Sequence, residues 1–178
     1  MGEPGAQVER QCGDCQVCCV VFELHDPDAG KAAGEPSRHL CSQGCAIYDH
    51  RPEVCRAWHC VWRLMPTLPE HWRPDLSGIL IYQIRNEIPG YHDAGLILSL
   101  ANGFAHLEDE ALLGFILLAV KNRKPIYLGV HKKKAGAAER ADSKAYLLNP
   151  GLEREVAAND RAAFVAILKQ AIGQKLSL

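Results

Sequence analysis

The sequence predicts an α+β protein: a small sheet with two helices, joined to an irregular N-terminal segment rich in cysteine and suited to binding metal. Three observations lead there. All eight cysteines lie between Cys12 and Cys60, and residues 61–178 have none. After residue 75, runs rich in Ile, Leu and Tyr alternate with turn residues, as strands do, and two stretches carry apolar residues at helical spacing. Between the two regions, Pro66, Pro69 and Pro74 interrupt residues 64–75, which predicts a boundary separating a cysteine-cluster segment, 1–63, from a small α+β domain, 76–178, packed on it.

Within the first region, residues 20–40 hold Asp26-Pro27-Asp28, Gly30, Gly34 and Pro36, a turn-rich connection that must be tied at both ends. In the second region, Gly78 to Arg85 and Tyr91 to Leu100 flank Asn86-Glu87-Ile88-Pro89-Gly90 and predict a β-hairpin. Glu108 to Asn122 predicts a helix, with acids at its start, Lys121 and Arg123 at its end and Pro125 beyond. Ile126 to His131 predicts a third strand, and Lys144 to Leu148 a fourth. Asn159 or Asp160 can cap a last helix in which Phe164, Ile167, Leu168, Ala171 and Ile172 share one face.

The formal net charge of −1 divides into −4 over residues 1–60 and +3 over the remainder. The cysteine region therefore attracts cations and repels a phosphate backbone. Lys121, Arg123 and Lys124, with Lys132, Lys133 and Lys134, form a basic stretch, but no aromatic platform accompanies it. That argues for a solvated surface and against a nucleic-acid partner. Residues 1–11 lack the apolar core of a secretory signal, and the apolar run Ala111 to Val120 is shorter than the ~20 residues a membrane span needs. The expected location is the cytoplasm, with no membrane partner. Thiols stay reduced there, so clustered cysteines point to metal ligation rather than disulfides.

The ligand candidates are Cys12, Cys15, Cys18, Cys19, Cys41, Cys45, Cys55 and Cys60. Cys12-x2-Cys15-x2-Cys18 repeats the chelating knuckle in which two intervening residues let both sulfurs reach one metal. Cys18 and Cys19 are neighbours whose side chains diverge, which suits two metals or one cluster with bridging sulfurs. Eight thiolates fill two tetrahedral sites, and His39, His50 and His59 are near enough in sequence to replace one or two of them. Arg51 and Arg56 can offset thiolate charge, while Tyr48, Trp58 and Trp62 are expected to shield the site.

The run Cys12 to Cys19, with Cys45-Ala-Ile47-Tyr48-Asp-His-Arg51-Pro52-Glu-Val-Cys55-Arg56, resembles the CxxCxxCC family of zinc- or iron-chelating domains over residues 12–60. That resemblance implies metal chelation and leaves any reaction open. Zinc is the preferred cofactor, iron or an iron–sulfur cluster the alternative. Cys12, Cys15 and Cys18 match the first three steps of a bacterial ferredoxin run, but no cysteine precedes a proline. A zinc-dependent hydrolase or transferase using His25, His50 or His59 ranks lower, since no phosphate loop, nucleophile elbow or His-Glu-x-x-His is present. His106-Leu107-Glu108 matches only half of a zinc deaminase signature. The expected function is metal binding, structural or in metal handling, with catalysis not favoured and the protein partner undefined.

Overall fold

The computed structural model describes residues 10–100, 109–131, 143–158 and 160–176. His106 to Glu108, Lys132 to Lys134 and Asn159, all singled out above, lie outside them. The fold is α+β. A four-stranded sheet is formed by β3 (Ile79–Arg85), β4 (Ala94–Leu100), β5 (Ile126–His131) and β6 (Ser143–Leu147) in that spatial order. The earlier β1 (Leu40–Cys41) and β2 (Gly44–Cys45) make a separate two-stranded hairpin. The predicted β3–β4 hairpin forms with Ile79 opposite Leu100 and Arg85 opposite Ala94. Asn86 closes it, donating to the carbonyls of Ile88 and His92 at 3.1 Å each. β4 and β5 run parallel, which requires a crossover, and the predicted helix supplies it.

That helix spans Glu110–Lys121; it is α5, after four short N-terminal turns, α1 (Val17–Val21), α2 (Glu53–Arg56), α3 (Val61–Leu64) and α4 (Pro74–Ser77). The last predicted helix is α7 (Arg161–Leu176), started by Asp160, whose carboxylate accepts from the Ala163 amide. Between them lies a helix not anticipated from the sequence, α6 (Asn149–Ala157). Asn149-Pro150-Gly151 has turn composition, yet proline is harmless in a first helical turn, where its missing N–H has no partner to lose. The fully buried Asn149 side chain accepts from the Ile126 amide at 2.7 Å and donates to the Lys124 carbonyl, fixing α6 to the start of β5. Among the described residues no helix is long and apolar enough to cross a membrane.

Side chains alternate across the sheet, and its two faces have different cover. Ile79, Ile81, Leu96, Leu98, Ile126 and Leu128 join Ile116, Leu152, Phe164 and Leu168 of the helices in one buried core. Leu80 and Tyr82 face the other way, into the cysteine region: Tyr82 meets the rings of Phe22 and Trp58 at 5.1 and 5.8 Å, and those two meet each other at 4.8 Å. Residues 60–77 wrap against β3, an edge strand of the sheet, through α3 and α4. Val61 and Trp62, ahead of the proline-rich stretch, and Trp72, within it, are buried in the same core as the sheet.

One carboxylate locks this wrap to the crossover helix. Asp109 caps α5 by accepting from the Leu112 amide at 2.8 Å, and it also accepts from the Trp72 indole at 3.1 Å and meets the His71 ring at 2.9 Å. Burial raises its pKa, but these hydrogen bonds outweigh that and hold the carboxyl below the usual range. Replacing Asp109 by Ala should lower unfolding free energy by about 1–2 kcal/mol near neutral pH. Because the folded pKa is depressed, the stabilisation is complete above the unfolded carboxyl value of about 4 and is lost as pH falls through the folded value. In denaturant titrations of both proteins from pH 7 to pH 3, the difference in stability should therefore narrow below about pH 4.

Candidate functional site

Five local structures present the cysteines. Cys12 to Cys15 form a turn closed by the Cys15 amide on the Cys12 carbonyl at 3.1 Å, with Gly13 at φ +58°. A side chain there would cost roughly 1–2 kcal/mol. Helix α1 then carries Cys18 and Cys19 side by side. The β1–β2 hairpin carries Cys41 and Cys45, and α2, which follows Pro52, carries Cys55. Cys60 sits at the N-terminal end of α3 and is buried.

These pieces enclose one cavity of about 310 Å³, and seven of the eight cysteines line it: Cys12, Cys15, Cys18, Cys19, Cys45, Cys55 and Cys60. The remainder of the wall is largely apolar, with Phe22, Ile47, Val54 and Trp58 at the sides and Leu80 from the sheet. Cys41 is the exception, and the hairpin explains it. Leu40 pairs with Cys45 and Cys41 with Gly44, so Leu40 and Cys45 share one side of the ribbon while Cys41 faces the other, where it is exposed. His39 lines the cavity, with Nε2 3.0 Å from the Asp28 carbonyl; the candidates His25, His50 and His59 do not. His25 is exposed beside Glu23, and the His59 ring meets the Arg63 guanidinium at 3.0 Å.

The two halves of the cysteine set are held together through backbone as well as thiols. Gly44 has φ +111°, and a Cβ there would lie 2.6 Å from the Gly13 carbonyl oxygen. Two glycines thus allow the hairpin to press against the Cys12–Cys15 turn. Tyr48 adds a second tie: its hydroxyl accepts from the Cys12 amide at 3.3 Å, while its ring lies 3.7 Å beneath the Arg51 guanidinium. Lys31, in the long connection, donates to the carbonyls of Val20, at 3.0 Å, and Phe22, holding the end of α1.

All eight cysteines are free thiols. Burial pushes Cys15 up to about 12, and the Asp75 carboxylate, to which the thiol donates and which Arg73 holds at 2.8 and 2.9 Å, raises it further. Burial likewise raises Cys55, beside Cys19 and Cys45, and Cys60, beside Cys12. The Cys18 thiol donates to the Cys19 sulfur; that bond raises Cys18, as burial does, and lowers Cys19 against the effect of its burial, with Lys31 and Arg51 lowering Cys19 further. Of the two flanking arginines, Arg51 thus faces the thiols, whereas Arg56 forms an exposed ion pair with Glu53 at 2.8 Å. Among the described residues, no three Cys, His, Asp or Glu side chains are gathered into a group that could hold a metal ion as they stand. The thiols surround a space rather than converge on a point.

Neither protein-family models, nor curated proteins, nor solved structures give a match to this chain. What the site can do rests on its own chemistry: a thiol-lined, mostly apolar chamber with cationic groups behind it. Sequence reasoning missed Lys31, Asp75 and the Gly13–Gly44 contact. Only the last had a signal, a glycine beside a cysteine in each half.

Substituting Gly44 by Ala should separate the halves, because the new methyl meets a backbone oxygen and φ is unfavourable, a cost on the order of 1–3 kcal/mol. Gly13 by Ala should be milder, since its nearest neighbour is the Arg73 side chain at 3.8 Å. Limited proteolysis should cut residues 10–63 faster in Gly44→Ala than in Gly13→Ala, with the helices after residue 109 protected in both.

Proposed function

We propose that this chain is a metal-ion-binding protein whose cysteine cluster chelates zinc or iron, in a structural or metal-handling role. The observation that carries this is the gathering of seven thiols from five separate local structures around one chamber. Buried cysteines serving only as packing would have no reason to share a cavity. Thiolate donors suit zinc and iron and disfavour magnesium or calcium. The side chains must turn inward to reach bonding distance, about 2.3 Å for zinc and sulfur, and displace their protons as they do so. Once bound, the metal cross-links segments that have little apolar core of their own and seats them on Leu80 and Tyr82.

Zinc is the first choice, because an all-thiolate tetrahedral shell is closed and requires no catalytic partner. The iron–sulfur alternative draws support from the chamber's volume and apolar wall, which suit a cluster shielded from solvent. A zinc-dependent hydrolase has less behind it, since His25, His50 and His59 lie off the cavity wall. The reduced state of so many thiols is best kept in the cytoplasm, which we propose as its location.

Metal analysis with an absorption spectrum, on full-length protein purified without oxygen, tests this. A colourless zinc-loaded sample is expected, and a brown one containing sulfide would favour the cluster. Structural zinc contributes on the order of 10–16 kcal/mol of apparent binding free energy, comparable with the ~5–15 kcal/mol that stabilises a whole domain. Chelation should therefore unfold residues 10–63. Cys15→Ser and Cys55→Ser should each lower bound metal per chain and expose the same residues to protease, while Cys41→Ser should do neither.

A further inference from the structure

Arg10, two residues before Cys12, sends its guanidinium across to the stretch that follows Cys60. Nη1 donates to the Trp62 carbonyl at 3.2 Å, and Nη2 donates to the carbonyls of Pro66 and Leu68 at 2.7 and 2.5 Å. Cζ stands 4.6 Å from the centroid of the Trp62 ring. These acceptors are backbone carbonyls, so the cation is recognised by dipoles and an aromatic face rather than by an opposite charge. We propose that residues 62–69 form a receptor for a planar guanidinium group, and that Arg10 docks in it as a latch holding the Cys12 end of the chamber wall.

Bonds that do not involve Arg10 shape the receptor. The Leu68 amide closes a turn on the Met65 carbonyl at 3.0 Å, and the Trp62 indole donates to the Pro69 carbonyl at 3.2 Å, which fixes the ring. Pro66 and Pro69 fix their own φ and stiffen the turn. Proline also explains the vacant acceptor. Trp62 belongs to α3, and the helical partner its carbonyl would need is Pro66, which has no N–H to give. Arg10 supplies the missing bond. A guanidinium presents its donors in one plane and stacks on an aromatic face, whereas an ammonium is a compact point charge that does neither.

The latch acts on the chamber through the backbone of Arg10. Its carbonyl accepts from Arg63 Nε at 2.8 Å, and Arg63 is buried and lines the cavity together with Trp62. Further along the same strap, Cys12 and Gly13 line the cavity, and Gly13 meets Gly44 of the hairpin. Beyond them Arg73 holds Asp14 at 3.0 Å. With Arg10 released, the first tie left on the described strap is the 3.3 Å bond from the Cys12 amide to the Tyr48 hydroxyl.

Full-length Arg10→Gly, compared with the unaltered chain at equal metal content, tests both parts. Amide exchange at Cys12 and Cys15 should quicken by about tenfold or more, the effect on a local opening of losing charge-assisted hydrogen bonds. Exchange at Arg56 and Ala57 in α2, and along β3 and β4, should not change. Methylguanidinium, at concentrations that leave β3 and β4 protected, should bind the variant saturably and return the Trp62 indole resonance toward its wild-type position. Exchange at Cys12 should stay fast, because the free cation is not joined to the strap. Exchange restored by the free cation would overturn the latch, and an absence of saturable binding would overturn the receptor. Arg10→Lys should exchange at a rate between the two; a rate equal to wild type would overturn recognition of the planar group. The unaltered chain covers the case of a variant that does not fold. Its Arg10 guanidinium should show hindered rotation, with separate Nη resonances, and a freely rotating group would overturn receptor and latch together. The latch goes beyond the metal-binding reading, and a chain that takes up neither zinc nor iron would overturn that reading alone.

Discussion

The first residues of β3 are enclosed from both sides of the sheet. Ile79 and Ile81 pack with the helices, while Leu80, 1% exposed, forms the floor of the cysteine cavity. An edge strand normally exposes one row of backbone groups and one face. Here residues 60–77 pack against the start of the strand, and the cysteine segment covers the face that carries Leu80 and Tyr82. The aromatic trio of Phe22, Trp58 and Tyr82 extends the seal along the strand. The thiols therefore stand on a platform whose position is set by the sheet and, through Asp109 and Trp72, by α5.

What the sequence reveals follows the range of the forces involved. The β3–β4 hairpin, α5, β5 and α7 are legible because hydrophobic periodicity and caps act within one element. Helix α6 is hidden by Asn149-Pro150-Gly151, where each residue favours a turn and only the long-range bonds of Asn149 to Ile126 and Lys124 decide for a helix. The cysteine set is visible as chemistry but not as geometry. Spacing alone treats Cys41 and Cys45 alike, and a two-residue strand turns one inward and the other out. Lys31 has no local signal, because its partners are carbonyls nine and eleven residues away and thiols in α1.

The electrostatics of the chamber are organised in opposition. Burial disfavours ionised thiols at Cys15, Cys55 and Cys60, and it also disfavours the Lys31 ammonium. Each sign of charge is costly there alone and less so together. Lys31 meets part of its cost through backbone carbonyls, Arg51 through the face of Tyr48, and Arg63 through the Arg10 carbonyl at 2.8 Å. Each cation is thus held by partners other than the sulfurs.

The platform has a consequence for the order of events during synthesis. Leu80 and Tyr82 come later in the chain than every cysteine, and translation, at about 5–20 residues per second, delivers the N-terminal part first. All the thiols exist before there is a floor beneath them. β3 cannot take its place until β4 pairs with it, and the sheet is complete only when β5 has crossed over alongside β4. The cysteine segment spends that interval as a nascent chain with its sulfurs open to oxidants, and in the folded protein Cys60 alone of the eight is buried while Cys41 stays exposed.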